Sequence, residues 1–169
     1  IGLPEEGIQG DYLRILRYFR FFIQYSKKDF DSETIKSIRK NINGLNKISN
    51  ERIFNETEKI LSLKDVYKLF SKNPQKEIIL NIFPQFKYYE RLKIIGNLDK
   101  SLQSRYDSNL MLAILIVDHT NDHEFFCHKY KTSNILKSRF KNIAKNFEYL
   151  KSKKFFTKEN IKKQIYLSN

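Results

Sequence analysis

Apolar residues recur along this chain at intervals of three and four, with almost no alternation of period two, so the pattern predicts helices joined by short turns. A first helix is expected from about Gln9 to Tyr25. Asp31 or Ser32 then caps a second that carries Ile35, Ile38 and Ile42 and stops at Asn43-Gly44. Ser49 opens a third, whose Ile53, Phe54, Thr57, Ile60 and Leu61 form one amphipathic face. Lys64 to Ser71 reads as a short helix. Asn73-Pro74 introduces another, through Glu77 and Ile82, that stops near Pro84, and Tyr88 to Ile95 makes the next. Asp107 and Ser108 cap Leu110 to Val117, apolar on every side and therefore expected at the centre of the molecule. His123 to Tyr130, a long basic helix from Ser133 to about Lys151, and a last one capped by Thr157 complete an all-α fold.

Composition agrees with a packed domain or two closely packed subdomains: 169 residues, 40% hydrophobic and 14% aromatic, with only 5 Gly and 3 Pro. Cys127 stands alone, which excludes an internal disulfide and favours a reducing compartment, the cytoplasm by default. No apolar run is long enough to span a bilayer. The chain opens on Ile1 without an initiator Met or a signal-peptide pattern, as expected of a piece of a longer protein. Its net charge of +13 is uneven: from Lys129 onward there are twelve Lys and Arg against Glu148 and Glu159, which places +10 in the last quarter. Such a tail suits a polyanion, because each phosphate it neutralises releases a counterion. Arg52, at the start of its helix, and Arg139, Lys141, Lys145, Lys151, Lys153 and Lys154 are the expected contacts to the phosphate backbone of such a polyanion. Phe147, Tyr149, Phe155 and Phe156 lie between them, at a spacing that suits core packing better than base stacking.

The stretch Ile8 to Phe22, IQGDYLRILRYFRFF, is apolar nearly all round except for Asp11, Arg14, Arg17 and Arg20. On one continuous helix Asp11 and Arg14 lie 60° apart and side by side. Charges in that setting ordinarily pair with one another to trim a buried helix. Asp118, His119, Asp122, His123, Cys127 and His128 also cluster, and His119, His123 and Cys127 are spaced i, i+4, i+8. That row resembles no zinc signature, and Thr120-Asn121 predicts a turn through it, so a polar inter-helix turn is expected and no metal site is assigned.

The segment from Gly7 to Phe21 resembles the R-I-x-E-D-x-L-R-x-x-R-x-x-R-F motif of class II tRNA nucleotidyltransferases and poly(A) polymerases, the bacterial CCA-adding type among them. SNERIFNETEKIL, from Ser49 to Leu61, is similar to their S-x-E-R-I-x-x-E-x-x-K-I-L segment. IILNIFPQF, DSNLMLAILI and TSNILKSRFKNI match further family elements more loosely. Gly10 stands where that family has Glu, and Gly7 where it has Arg.

The resemblance implies a helical neck over residues 1–63 and a body and tail over 64–169. It also implies that Asp11 and Arg14, with Arg17, read ATP or CTP at the base edge, a carboxylate accepting from the exocyclic amine and a guanidinium donating to ring acceptors. The expected partners are tRNA or other RNA, ATP or CTP, and an N-terminal catalytic head on the same or a separate chain. The metal-binding D-x-D pair and the G-G-x-V-R-D segment of that family are missing, so no catalytic residue and no cofactor is assigned here. Mg2+ is expected in the head. The competing expectation is a non-catalytic RNA-binding module or the product of a degenerate split gene.

Overall fold

A computed structural model describes residues 5–96, 107–151 and 157–167, and every described element is helical. Among the described residues ten α-helices follow in order: α1 (Glu5–Gly10), α2 (Arg14–Tyr25), α3 (Ser32–Asn41), α4 (Asn50–Leu61), α5 (Asn73–Ile82), α6 (Arg91–Gly96), α7 (Ser108–Ile116), α8 (Asp122–Lys129), α9 (Asn134–Lys151) and α10 (Lys158–Leu167). Two 3-10 turns, Ile42–Lys47 and Val66–Phe70, flank α4. Helix starts follow local chemistry. Asp31, Ser49, Asp107, Ser133 and Thr157 each accept a hydrogen bond from the backbone amide three residues on, and Pro74 sits in the first turn of α5, where no donor is needed.

Helix α4 packs between α2 and α7, and α7 also meets α6 and α9, while α1 lies on α3 and α8 on α9. One continuous core runs from Ile8 to Phe140 and includes residues on both sides of position 63. Leu112, Leu115 and Ile116 of α7 are at most 1% exposed, which bears out its central burial. Arg91 fixes the end of α7 by donating to the carbonyls of Ile114 (3.1 Å) and Val117 (2.9 Å), with its guanidinium 3.7 Å from the centre of the Tyr88 ring.

Four expected boundaries shift, one of them the helix expected from Tyr88, which begins only at Arg91 after a turn. The opening helix is two, α1 and α2, separated at Asp11 to Leu13. Helix α3 stops at Asn41 and tightens into a 3-10 turn that contains Gly44, and no described glycine has a positive φ. Gly44 is there for space: a Cβ would fall inside the Tyr12 ring. The expected helix over Lys64 to Ser71 is reduced to the 3-10 turn.

Asp118, 3% exposed, closes the turn after α7. Burial disfavours its charge, but the hydroxyl and amide of Thr120 (2.5 and 2.7 Å) and the hydroxyl of Tyr88 outweigh burial and hold its pKa down at about 2. The folded carboxyl stays ionised to lower pH than the unfolded one. Its bonds therefore stabilise the fold fully above about pH 4 and are lost as pH falls toward 2. Urea melts of the chain should lose about 2 kcal/mol over that window through this group. Asp118→Asn should remove that part of the acid sensitivity, and an unchanged acid profile would show that other carboxylates dominate.

Candidate nucleotide- and RNA-facing site

The break between α1 and α2 builds the site. Asp11 Oδ1 accepts from the amide of Leu13 at 3.1 Å, a local bond that competes with continued helix and leaves the carboxylate at the N-terminal corner of α2. There the helix dipole favours negative charge. Asp11 Oδ2 faces Arg17 Nη1 at 3.3 Å and, from α4, Arg52 Nη2 at 3.6 Å. The Arg14 guanidinium turns away and donates from Nη1 to the Gly7 carbonyl at 3.0 Å. Asp11 and Arg14 are thus neighbours in sequence without being a pair, because the turn at Asp11 takes it off the face that Arg14 occupies. Arg20 leaves the group altogether and pairs with Glu56 on α4.

Arg14, Arg17, Phe21 and Tyr25 line a groove of about 450 Å³ along α2, together with Lys28 and Asp29. Phe21 and Tyr25 are 46% and 68% exposed and stack on each other with ring centres 6.1 Å apart. Two guanidinium groups at one end and flat apolar rings beside them can take an anionic group and a planar one together. The aromatic pair was missed in the sequence, although the i, i+3, i+7, i+11 spacing with Arg14 and Arg17 carries the signal.

The family profile described as "Probable RNA and SrmB- binding site of polymerase A" matches residues 29–90, from the start of α3 into the approach to α6. The human CCA tRNA nucleotidyltransferase 1, mitochondrial, is 51% identical over 63 residues, 36% of this chain and 14% of that protein. The mouse protein of the same name is 48% identical over 64 residues. The CCA-adding enzyme of Staphylococcus epidermidis is 30% identical over 122 residues, 72% of this chain and 28% of that enzyme. The chain belongs to the class II tRNA nucleotidyltransferase/poly(A) polymerase family. It spans between about a seventh and a little over a quarter of these curated relatives.

Of the basic residues expected at RNA in this family member, Arg52 joins Asp11, and Arg139 donates to Asp107 at 2.9 Å, tying α9 to the cap of α7. Lys141 and Lys145 are exposed on α9. Lys151 is the last described residue of that helix, and Lys153 and Lys154 lie outside the described residues. His119, His123 and Cys127 do not share a helix face, since α8 begins only at Asp122. His119 is exposed in the preceding turn, while His123 and Cys127 are buried on α8. Among the described residues no three His, Cys, Asp or Glu come together as a metal site. No described helix is long and apolar enough to cross a membrane.

Proposed function

We propose that this chain is the C-terminal helical part of a template-independent RNA nucleotidyltransferase, adding CCA to tRNA or polymerising A, and that it supplies nucleotide selection and RNA binding. The observation that carries the reading is the corner at Asp11. It gathers a carboxylate acceptor with the Arg17 and Arg52 donors, and an exposed Arg14 lies beside an open aromatic groove. Asp11 would accept from the exocyclic amine of cytosine or adenine and Arg14 would donate to the neighbouring ring acceptor. Arg17 sits within reach of both tasks. Arg14 must exchange its Gly7 carbonyl for the base, an exchange of one hydrogen bond for another that costs little. The likeness to CCA tRNA nucleotidyltransferases and to the RNA-binding profile supports tRNA as substrate, with the basic helix α9 as a backbone contact. The metal-dependent transfer chemistry belongs to a catalytic head, and the cytoplasm is its proposed place of work.

Co-expression with a catalytic head of the family, followed by ATP and CTP incorporation into tRNA, tests this reading. Arg14→Ala should lower incorporation at least tenfold, and Asp11→Asn should blur the choice of base, as loss of a buried-edge hydrogen bond does. Equal incorporation by Arg14→Ala and the unmodified chain would remove the base-reading assignment. The second reading, an RNA-binding module without nucleotide selectivity, is favoured specifically by Gly7 and Gly10, and it keeps salt-sensitive tRNA binding while both variants remain silent.

A further inference from the structure

The exposed rings of α2 lie beyond the reach of a base held at the Asp11 corner. Arg14 and Tyr25 are eleven residues apart on one helix, which at about 1.5 Å per residue separates them by about 16 Å. Consecutive bases of a stacked strand are about 3.4 Å apart, so a base at the corner and a base at Tyr25 belong to different nucleotides. Tyr25 is supported from below. Its ring stacks on Phe21 with centres 6.1 Å apart and planes 25° from parallel, and the Arg20 guanidinium lies 4.2 Å from the centre of the Phe21 ring. Arg20 is in turn anchored by Glu56 of α4, so the contacts run from a buried carboxylate out to a ring that is 68% exposed. A large ring held open to water by a fixed support has little rotamer freedom left to lose when a planar group stacks on it.

The charges of the groove suit a nucleotide strand. Its two carboxylates are occupied, Asp29 by Lys72 at 2.6 Å and Asp31 by the amide and hydroxyl of Thr34. Lys28 is in no ion pair among the described residues, and the Arg14 guanidinium meets the Gly7 carbonyl, which leaves its charge unmatched. One unmatched cation therefore stands at the start of α2 and another three residues past its end, with Phe21 and Tyr25 between them in sequence. A single strand is held by this combination, phosphates on the charges and bases on the rings. An apolar helix of a protein partner would bury both cations without matching them, and a mononucleotide would satisfy one of them alone.

We propose that Tyr25 is a stacking platform for a base in the single-stranded 3′ end of the RNA substrate, upstream of the nucleotide read at the Asp11 corner, with Phe21 as its support. The assignment rests on the RNA-substrate reading above and adds to it a base contact that acts on the strand being extended and not on the incoming nucleotide. Every base has a π-face, so the platform holds the strand without choosing its sequence.

The full chain is titrated with an RNA hairpin that carries a short single-stranded 3′ end, and with the same hairpin made abasic at each single-stranded position in turn. Fluorescence anisotropy should find a position upstream of the terminal nucleotide where loss of the base weakens binding about tenfold, the scale of one base on one aromatic ring. That penalty should vanish in Tyr25→Ala and remain in Tyr25→Phe. 2-Aminopurine at the same position should be quenched by the unmodified chain and by Tyr25→Phe, and not by Tyr25→Ala, a pattern that a merely structural role would not produce. Tyr25 is exposed, so both variants keep the core. A penalty that survives in Tyr25→Ala, or that falls only on the terminal nucleotide, would overturn the platform while leaving RNA binding intact. Reversal of the quenching by micromolar ATP would overturn it in favour of the incoming nucleotide. Protection of Tyr25 from tetranitromethane by a co-expressed head, with no RNA present, would show the ring covered by protein and overturn it in favour of that contact. Failure of the chain to bind the hairpin at low salt would overturn the RNA-binding role itself.

Discussion

Replacing Arg20 with Ala should destabilise the chain by about 3–5 kcal/mol, measured as the shift in urea midpoint at constant slope. Glu56 is 2% exposed within α4 and is held by Arg20 from α2, with Lys59 at 3.4 Å as a second cation. Without Arg20 the carboxylate is left in the interface between the two helices with only an exposed lysine to reach it, and burial of an unmatched charge is what makes such a change costly. Glu56→Ala should cost less. Arg20 retains 19% side-chain exposure and can turn to solvent or lie over the Phe21 ring, 4.2 Å away. The double replacement Arg20→Met with Glu56→Leu should recover most of the loss, because an apolar pair of similar volume needs no desolvation of charge. If Arg20→Ala melts within about 1 kcal/mol of the unmodified chain, the α2–α4 contact does not depend on this pair.

The same pair shows where sequence reasoning reached its limit. Helix starts were legible because a capping side chain bonds a backbone amide three residues away, as at Asp31, Ser49 and Asp107, and all the information lies within one turn. The burial of α7 was legible because it has no polar face to turn outward. The partners of the four charges in the opening segment were not. Arg20 and Arg17 differ by three residues and occupy similar positions on one helix, yet one meets Glu56 and the other Asp11, and the choice is made by how α4 crosses α2. Arg52 reached the Asp11 corner by the same crossing, although its position at the start of α4 had suggested only a phosphate contact. Arg139, grouped on charge alone with the lysines expected at RNA, is a bolt between α9 and the α7 cap. The break after Gly10 was also hidden, because a glycine and an aspartate within a periodic apolar stretch fit either a weak helical turn or a new N-terminus. The Asp11 to Leu13 bond decides for the second.

Gly44→Ala is expected to cost about 2–4 kcal/mol and to reach the candidate site as well. The added methyl would occupy the position of the Tyr12 ring near its root, so no rotation of a distal side-chain atom relieves the clash, and Tyr12 or the 3-10 turn must move as a whole. Tyr12 follows Asp11 directly, between α1 and α2, and Lys47 from the same 3-10 turn lies 5.6 Å from the centre of its ring. A displaced Tyr12 therefore carries the Asp11 corner with it, loosening contacts to Arg17 and Arg52 that already stand at 3.3 and 3.6 Å. Two measurements separate these effects. The urea midpoint reports the strain, and nucleotide incorporation with a co-expressed head reports the corner. Tyr12→Ala combined with Gly44→Ala makes room for the methyl and should restore part of the stability without restoring incorporation, since the ring that sets the corner is gone. If Gly44→Ala is as stable as the unmodified chain, the close approach of the turn to Tyr12 does not hold in solution. If it is destabilised yet incorporates nucleotides normally when folded, the corner at Asp11 is positioned by Arg17 and Arg52 alone.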